Sequence, residues 1–408
     1  MTSRTLVPCL LAGVLSAALM PAAVSAQAAA RPAPPRPAAG ASQVPGKETP
    51  VLYPGFRPTR NFYGQPDLSG TWSNASLTPV GRPAQYNGRL VMTPAEVAAS
   101  EGTRADLVRL GNQSIPLNID LKDVPCYAAQ QGSDVQPGGA TTTTVYTGAN
   151  AANCGYDSGF VDPGNTVMRV HGEPRTSFVT YPASGVIPPV RTSAPVLAAQ
   201  AAGEGETAPA AAGRGAGGGG GAGRGANRGA NPEDEALAER CITSFGQSAG
   251  PIMGHQLYNN DYSIVQGKDS VAIWVEMVHD VRIVRIGGTH RTDGVRPWYG
   301  DSIGHYEGNT LVVETTNYNP QIRLEGRYST ADLVMTERFT RVAKDRLLYQ
   351  FNVHSPAQWD TDWGGEYEFS ASPGIYEYAC HEGNYALADI MQGFRDADSK
   401  APAAAAAR

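Results

Sequence analysis

The chain has 408 residues, of which 32 are basic and 38 acidic, and its formal net charge is −6. This acidic balance gives no electrostatic attraction to nucleic acid or to an anionic lipid surface. Hydrophobic residues make up 41% of the chain, which is typical of a folded protein with a sizeable core. We therefore expect no nucleic-acid partner.

The N-terminus has the features of a secretory signal peptide. Arg4 supplies the positive start, residues 6–20 are apolar, and Val24-Ser25-Ala26 is a small-x-small cleavage site. This pattern predicts cleavage after Ala26 and a soluble product in the periplasm or the medium. No later stretch is apolar for long enough to cross a bilayer, so we expect no membrane insertion.

Composition divides the rest of the chain. Residues 27–52 form an Ala/Pro-rich disordered leader, residues 53–397 a single β-rich domain, and residues 398–408 a disordered tail. The domain is interrupted at 194–231 by a flexible loop of Gly, Ala and Arg. Its arginines are compatible with binding nucleic acid, but an exported acidic chain favours a solvated tether.

The first predicted elements are a strand near Gly70-Thr71-Trp72 and a helix. Thr93 and Glu96 form a capping box for this helix, which should end near Leu110 because Gly111 follows. Two strands are predicted at 166–170 and 176–181, and a short helix begins at Asn231.

Residues 256–379 carry an almost continuous strand signal. The predicted strands are 262–266, 271–277, 280–286, 310–316, 333–342 and 346–353, separated by tight turns of Gly, Asn and Asp. In the last strand Leu347, Tyr349, Phe351 and Val353 share one face. The predicted fold is mainly β, an antiparallel meander forming a lipocalin-like barrel or curved sheet with a few peripheral helices, since closure removes exposed edges.

The cysteines favour disulfide bonds. Cys9 lies in the signal peptide, and the remaining four are Cys126, Cys154, Cys241 and Cys380. An even number in an exported protein indicates bridges, and we expect the pairs Cys126–Cys154 and Cys241–Cys380. The alternative is a thiolate metal site, but C-x-x-C spacing is absent. We expect neither a metal nor a cofactor.

Four polar stretches carry the side chains best suited to chemistry. They are Tyr258 to Tyr262, Glu276 to Arg282, Trp298 to Asn309 and Tyr376 to Tyr385. If 276–282 belongs to continuous strands, alternation places Glu276, Asp280 and Arg282 on one face and Met277 and His279 on the other.

Three histidines in these stretches have a carboxylate next to them or two residues away. Such a pair fixes the imidazole tautomer and suits general acid–base catalysis. The predicted catalytic residues are therefore His381, Glu382, His279, Asp280, Asp301 and His305. The predicted substrate-binding residues are Arg282 as an anion clamp, with Tyr258, Asn259, Trp298 and Tyr385.

Two other chemistries have less support. The histidines could ligate zinc or iron only by converging from separate strands, because H-x-H and H-E-x-x-H spacings are absent. Ser302 in Gly300-Asp-Ser-Ile-Gly304 imitates a nucleophile elbow, but a helix does not follow it, so we interpret it as a turn residue.

The same stretches resemble a widespread family of exported bacterial proteins. The resemblance depends on Y-N-N-x-Y from Tyr258, E-M-x-H-D-x-R from Glu276, G-D-S-x-G-H-x-E-G-x-T-L-V-V-E-T from Gly300, E-R-F-T from Glu337 and Y-A-C-H-E-G-N-Y from Tyr378. It implies an exported protein but transfers no reaction. A weaker resemblance, Gly70-x-Trp72, is to the opening strand of lipocalin-like barrels, where it implies a tryptophan that closes the barrel floor.

Two functions follow as hypotheses. The first is an acid–base enzyme, a lyase, isomerase or hydrolase, acting on a small organic molecule for which the tyrosines suggest an aromatic ring. His381 or His279 would transfer the proton, with Glu382, Asp280 and Asp301 as partners. The alternative is a periplasmic carrier of a small ligand, since barrels often enclose a mostly apolar cup.

Overall fold

The computed structural model describes residues 49–111, 163–193, 231–244, 248–250, 252–256, 258–325 and 327–400. The predicted signal peptide, most of the leader, the Cys126–Cys154 pair, nearly all of the 194–231 loop and the end of the tail lie outside these residues. The described strands are β1 (Gly70–Ser73), β2 (Arg169–Val170), β3 (Glu173–Pro174), β4 (Val179–Tyr181), β5 (Asp261–Gln266), β6 (Ser270–Val275), β7 (Val281–Ile286), β8 (Asp301–Glu307), β9 (Thr310–Thr316), β10 (Arg323–Leu324), β11 (Arg327–Tyr328), β12 (Val334–Ala343), β13 (Arg346–His354) and β14 (Trp363–Ala371).

Nine of these strands close into a barrel, which confirms the predicted fold class. Their order around the barrel is β1-β5-β6-β7-β8-β9-β12-β13-β14, and β14 returns to β1 through the pair Trp72–Ala371. A tenth strand, β4, is added outside the closure and pairs with β14. Gly364 and Gly365 permit this crowding, because a Cβ on either would collide with the carbonyl of Phe351 or Phe178.

One barrel pair departs from the predicted antiparallel meander. The pair β7–β8 is parallel, with Val284 beside Ser302. Gly287 and Gly288 do not reverse the chain into a hairpin. Instead residues 287–300 run back from the end of β7 to its middle, where β8 starts. Strands β8 and β14 are not predicted from the sequence. Ser302 lies buried in β8 beside Thr315 and is not the predicted turn residue.

Aromatic side chains fill much of the barrel interior. Leu347, Tyr349, Phe351 and Val353 of β13 point inward and are at most 1% exposed, as the alternation predicts. Trp72 is also buried and donates from its indole nitrogen to the carbonyl of Leu68 at 3.0 Å. Residues 252–256 enter the same core through Ile252 and Met253. Removing a large buried side chain from such a core costs about 3–5 kcal/mol.

The described helices lie outside the barrel. Helix α1 (Pro94–Gly111) begins at the predicted capping box, in which the backbone N–H of Thr93 donates to Glu96 at 2.7 Å. Helix α2 (Tyr385–Lys400) follows Asn384 and ends three residues beyond the predicted limit of the domain. A short 3-10 helix, Pro232–Asp234, stands where the sequence predicts a helix start. Among the described residues, helices long and apolar enough to cross a membrane are absent.

Candidate functional site

Three segments meet at the end of the barrel where β5 begins and β6 ends. The backbone N–H groups of Asp261 and Tyr376 both donate to the carboxylate of Glu276, at 3.2 and 2.9 Å. The hydroxyl of Ser372 donates to Asp261 at 2.5 Å. These bonds join three of the polar stretches that sequence analysis selects. We call the region the barrel-end site and define it by Tyr258, Glu276, His279, Asp280, Tyr299 and Tyr378.

Glu276 is a buried carboxylate that links the segments of this site by hydrogen bonds. Burial raises the pKa of its carboxyl, and the N–H groups of Tyr376 and Asp261 and the side chain of Asn259 oppose part of the rise. With only 3% of its surface exposed, Glu276 has little access to a substrate. Its oxygens instead hold the site together. The side chain of Asn259, which the sequence predicts to bind substrate, is one of the groups that bind Glu276.

The turn after Glu276 corrects the predicted strand alternation. The chain leaves β6 at Val275 and forms a short turn in which Val278 and His279 have φ of 62° and 46°. Left-handed φ is unfavourable for a β-branched residue, and such strain costs about 1–3 kcal/mol per residue. The turn persists because the side chains of Met277 and Val278 are buried. Strained backbone of this kind clusters at functional sites.

His279 is exposed, and a backbone carbonyl orients its ring. Nδ1 lies 3.1 Å from the carbonyl oxygen of Tyr378. A carbonyl only accepts hydrogen bonds, so Nδ1 carries the proton, and in the neutral ring Nε2 holds the free lone pair. Nε2 has no hydrogen-bond partner among the described residues. His279 is thus oriented on one side and open on the other.

Asp280 stands next to His279 and is fixed from its other side. The N–H of Val281 donates to its carboxylate at 2.7 Å, and the hydroxyl of Tyr299 donates as well. Burial raises the pKa of Asp280, while these two donors and His279 lower it, and the net shift is upward. Burial also raises the pKa of Tyr299, so its hydroxyl stays a donor. Asp280 is placed to stabilise positive charge on His279.

A disulfide anchors the segment that orients His279. Cys241 and Cys380 are bridged, with an S–S distance of 2.06 Å, which confirms this predicted pair. The side chain of Asn384 donates to the carbonyl of Glu239 at 3.3 Å and caps α2 by accepting from Leu387. Tyr378 therefore sits between a bridge and the Tyr376–Glu276 bond.

Other predicted residues lie in the same region but make fewer contacts. His381 and Glu382 are exposed on the turn before α2, where the N–H of Asn384 donates to the carbonyl of His381 at 3.3 Å. Tyr385 is also exposed, and Trp298 is half-buried against the main core. The structure brings the His381 segment to His279 through Tyr378.

Arg282 lies inside the barrel. Its guanidinium pairs with Glu337 at 2.7 Å, and both side chains are almost completely buried. Arg282 also donates to the carbonyl of Ala249, and Tyr349 donates to Glu337 at 2.8 Å. The structure thus places the predicted anion clamp in an internal ion pair.

Asp301 belongs to a second cluster, on the outer surface. Burial raises its pKa, but hydrogen bonds from Arg285, from the N–H of Arg291 and from His290 lower it to about 2. Nδ1 of His290 lies 3.0 Å from Asp301, and Nε2 lies 3.1 Å from Glu314. Asp301 therefore fastens the 287–300 crossover to β7, and its imidazole partner is one that sequence analysis missed.

His305 is remote from the barrel-end site. It pairs with Glu307 at 3.1 Å, and Glu307 pairs with Arg338. Because β8 runs parallel to β7 and Gly304 lies beside Ile286, His305 lies about 23 Å further along the strand direction than Asp280, at about 3.3 Å per residue. His279 and His305 therefore do not share one site.

A third cluster covers the outer face of β14. The hydroxyl of Tyr53 and the N–H of His171 donate to Glu368, at 3.0 and 2.7 Å. Burial raises the pKa of Glu368 to about 7. Its side chain is only 1% exposed. This buried carboxyl therefore links the chain before β1, through Tyr53, to β14. In the sequence, the two-residue spacing of Glu366 and Glu368 was the signal that could have predicted a strand with a polar outer face here.

The fold and the site thus define a β-barrel with a polar, disulfide-anchored end. In comparisons with known proteins, the sequence matches neither a protein-family model nor a curated protein. The resemblance to an exported bacterial family therefore stays a prediction. Among the described residues, groups of three or more His, Cys, Asp or Glu side chains able to hold a metal ion are absent.

Proposed function

We propose that the protein is an exported acid–base enzyme that acts on a small organic molecule with His279 as the proton-transfer group. The observation that carries this proposal is the hydrogen bond between Nδ1 of His279 and the carbonyl of Tyr378. It leaves Nε2 as an open base on an exposed ring. An orienting partner on one nitrogen and a free second nitrogen are what general base catalysis requires.

The neighbours of His279 suit the same chemistry. When Nε2 takes a proton from the substrate or, in a hydrolase, from the attacking water, the ring becomes positive, and the Asp280 carboxylate and the Tyr378 carbonyl stabilise that charge. The proton can then return to another atom of the substrate or to a leaving group, as in an isomerase, a lyase or a hydrolase.

The alternative function, a carrier with its ligand inside the barrel, has less support. Trp72, Tyr262, Tyr349, Tyr367 and Phe369 turn inward and are at most 1% exposed. The backbone of Met253 accepts from the hydroxyl of Tyr367 within the same interior. The space that would form a lipocalin-like cup thus holds aromatic side chains.

The proposal is tested by substrate turnover and by the protonation state of the His279 imidazole. The protein is incubated with a panel of small esters, lactones and hydroxy acids, and consumption is followed by proton NMR. We expect His279→Gln to lose about 100-fold or more of any activity, the usual contribution of a general base. The matched control is His354→Gln, which removes another exposed, hydrogen-bonded imidazole on β13.

Nitrogen-15 NMR of the imidazoles provides a readout that does not need the substrate. In the neutral ring of His279 we expect the proton on Nδ1. A neutral ring protonated on Nε2, or full activity in a folded His279→Gln variant, would contradict the proposal. His381→Gln tests the second predicted histidine in the same assay.

A further inference from the structure

Two tyrosines of the barrel-end site form a stacked pair beside His279. The rings of Tyr258 and Tyr378 lie 13° from parallel, with centroids 6.3 Å apart, and both side chains are half-buried. Near-parallel rings offer a flat π-face to a further planar ring, which favours offset stacking. The exposed pair Phe62 and Tyr63 is different, because its rings meet edge to face at 84°.

The chain holds this pair in place before any ligand arrives. Tyr258 precedes Asn259, whose side chain is bound to Glu276 and whose φ is 54°. Tyr378 lies between the Tyr376–Glu276 bond and the disulfide of Cys380. A surface fixed in this way loses little conformational entropy on binding.

The hydroxyl groups add a polar end to this surface. Burial raises the pKa of Tyr378, and the neighbouring Tyr258, through its charge and a hydrogen bond between the two side chains, raises it further. The two hydroxyls therefore form a hydrogen-bonded pair in which Tyr378 stays neutral, and one proton of the pair is left to donate to a ligand oxygen. A ligand that stacks on the rings and carries an oxygen would use both the flat ring face and the hydroxyl end. The same segment has two more exposed tyrosines, Tyr376 at 72% and Tyr385 at 78%.

We propose that Tyr258 and Tyr378 form the binding subsite for the ring of a small aromatic molecule bearing a hydroxyl or carboxylate oxygen. This rests on the proposed function only in taking His279 as the reacting group, since the carbonyl that orients His279 belongs to Tyr378 itself. Ring binding and proton transfer would then occur side by side.

Equilibrium binding of 4-nitrophenol tests the proposal without turnover. Dialysis against the full-length protein, read by absorbance, should show saturable binding. We expect Tyr258→Ala and Tyr378→Ala to weaken it at least about fivefold each, which corresponds to about 1 kcal/mol of stacking. Tyr378→Phe should retain most of the affinity, because it keeps the ring.

The matched control is Tyr63→Ala, which removes an exposed tyrosine without a stacked partner and should leave binding unchanged. Cyclohexanol should bind at least about fivefold more weakly than 4-nitrophenol, because it lacks a planar ring. Equal binding of the two probes, an equal loss in Tyr63→Ala, or no binding to the wild type would overturn the proposal. The binding assay needs no turnover, so wild-type protein that binds 4-nitrophenol but turns over none of the test substrates would overturn the proposed function and leave the subsite standing.

Discussion

Tyr378 and His279 are 99 residues apart in the chain, and the backbone carbonyl of the first accepts a hydrogen bond from Nδ1 of the second. Orientation by a backbone atom cannot be removed by changing a side chain. It depends on how the Tyr376–Cys380 segment is held, and therefore on Glu276 and on the disulfide.

The disulfide should matter for both stability and the site. Cys241 and Cys380 lie 139 positions apart in the sequence, and loss of a bridge over so long a loop lowers the free energy of unfolding by up to about 5 kcal/mol. We expect Cys241→Ser/Cys380→Ser to unfold at lower urea concentration and to show a disordered His279 ring by NMR. A variant with unchanged midpoint and unchanged ring signals would refute the anchoring role.

The internal ion pair predicts an asymmetric result. Glu337→Gln leaves the Arg282 charge buried without its partner, and we expect a loss of about 3–5 kcal/mol in the free energy of unfolding. The double variant Glu337→Leu/Arg282→Met removes both charges and should lose less. Urea unfolding of the three proteins measures this, and a larger loss in the double variant would contradict it.

Asp301 predicts a loss of stability in acid. Its folded pKa of about 2 lies below the ordinary 3.8, so its contribution is complete above about pH 4 and disappears as pH falls through 2. We expect Asp301→Asn to cost about 2 kcal/mol at neutral pH and progressively less below pH 4. Asp293→Asn, which breaks an exposed pair with Arg291, is the control and should change little.

Glu368 predicts the opposite dependence. Its folded pKa of about 7 lies above the ordinary 4.5, so its neutral form is favoured in the folded state. The contribution of Glu368 to the free energy of unfolding should be greatest below about pH 4.5 and should be lost as pH rises through 7. The groups around it are Tyr53, His171, Arg346 and Glu366.

We therefore expect Glu368→Gln to gain up to about 3 kcal/mol over the wild type between pH 5 and pH 8. Thermal unfolding across this range measures the difference. Glu377→Gln, at an exposed carboxylate, should follow the wild type. A constant gap between Glu368→Gln and the wild type at all pH values would rule out titration of this group.

Local pattern in the sequence predicts seven of the nine barrel strands but neither β8, β14 nor the parallel crossover. The alternation in β13 and the capping box at Thr93 act over a few residues, so their outcome follows from neighbouring side chains. The parallel pair β7–β8 depends on Asp301 capturing Arg285 and His290, a contact between segments that pattern does not reveal.

The candidate site was predicted in part for a similar reason. The motifs containing Tyr258, Glu276 and Tyr378 are visible as polar stretches, and the structure joins them. The turn at Val278 is invisible, because a valine with positive φ contradicts its own propensity. That turn leaves His279 exposed, whereas Met277, which strand alternation places on the same face as His279, is buried.

The closing pair of the barrel, Trp72 with Ala371, joins strands that lie almost 300 residues apart. Until β14 is present, both β1 and β13 offer unpaired backbone groups to any other strand. A chain cut before residue 363 would thus form an open sheet with two unpaired edge strands, and such a sheet is prone to aggregation. Folding therefore has to wait until nearly the whole domain has been synthesised, and the incomplete sheet is exposed to aggregation until then.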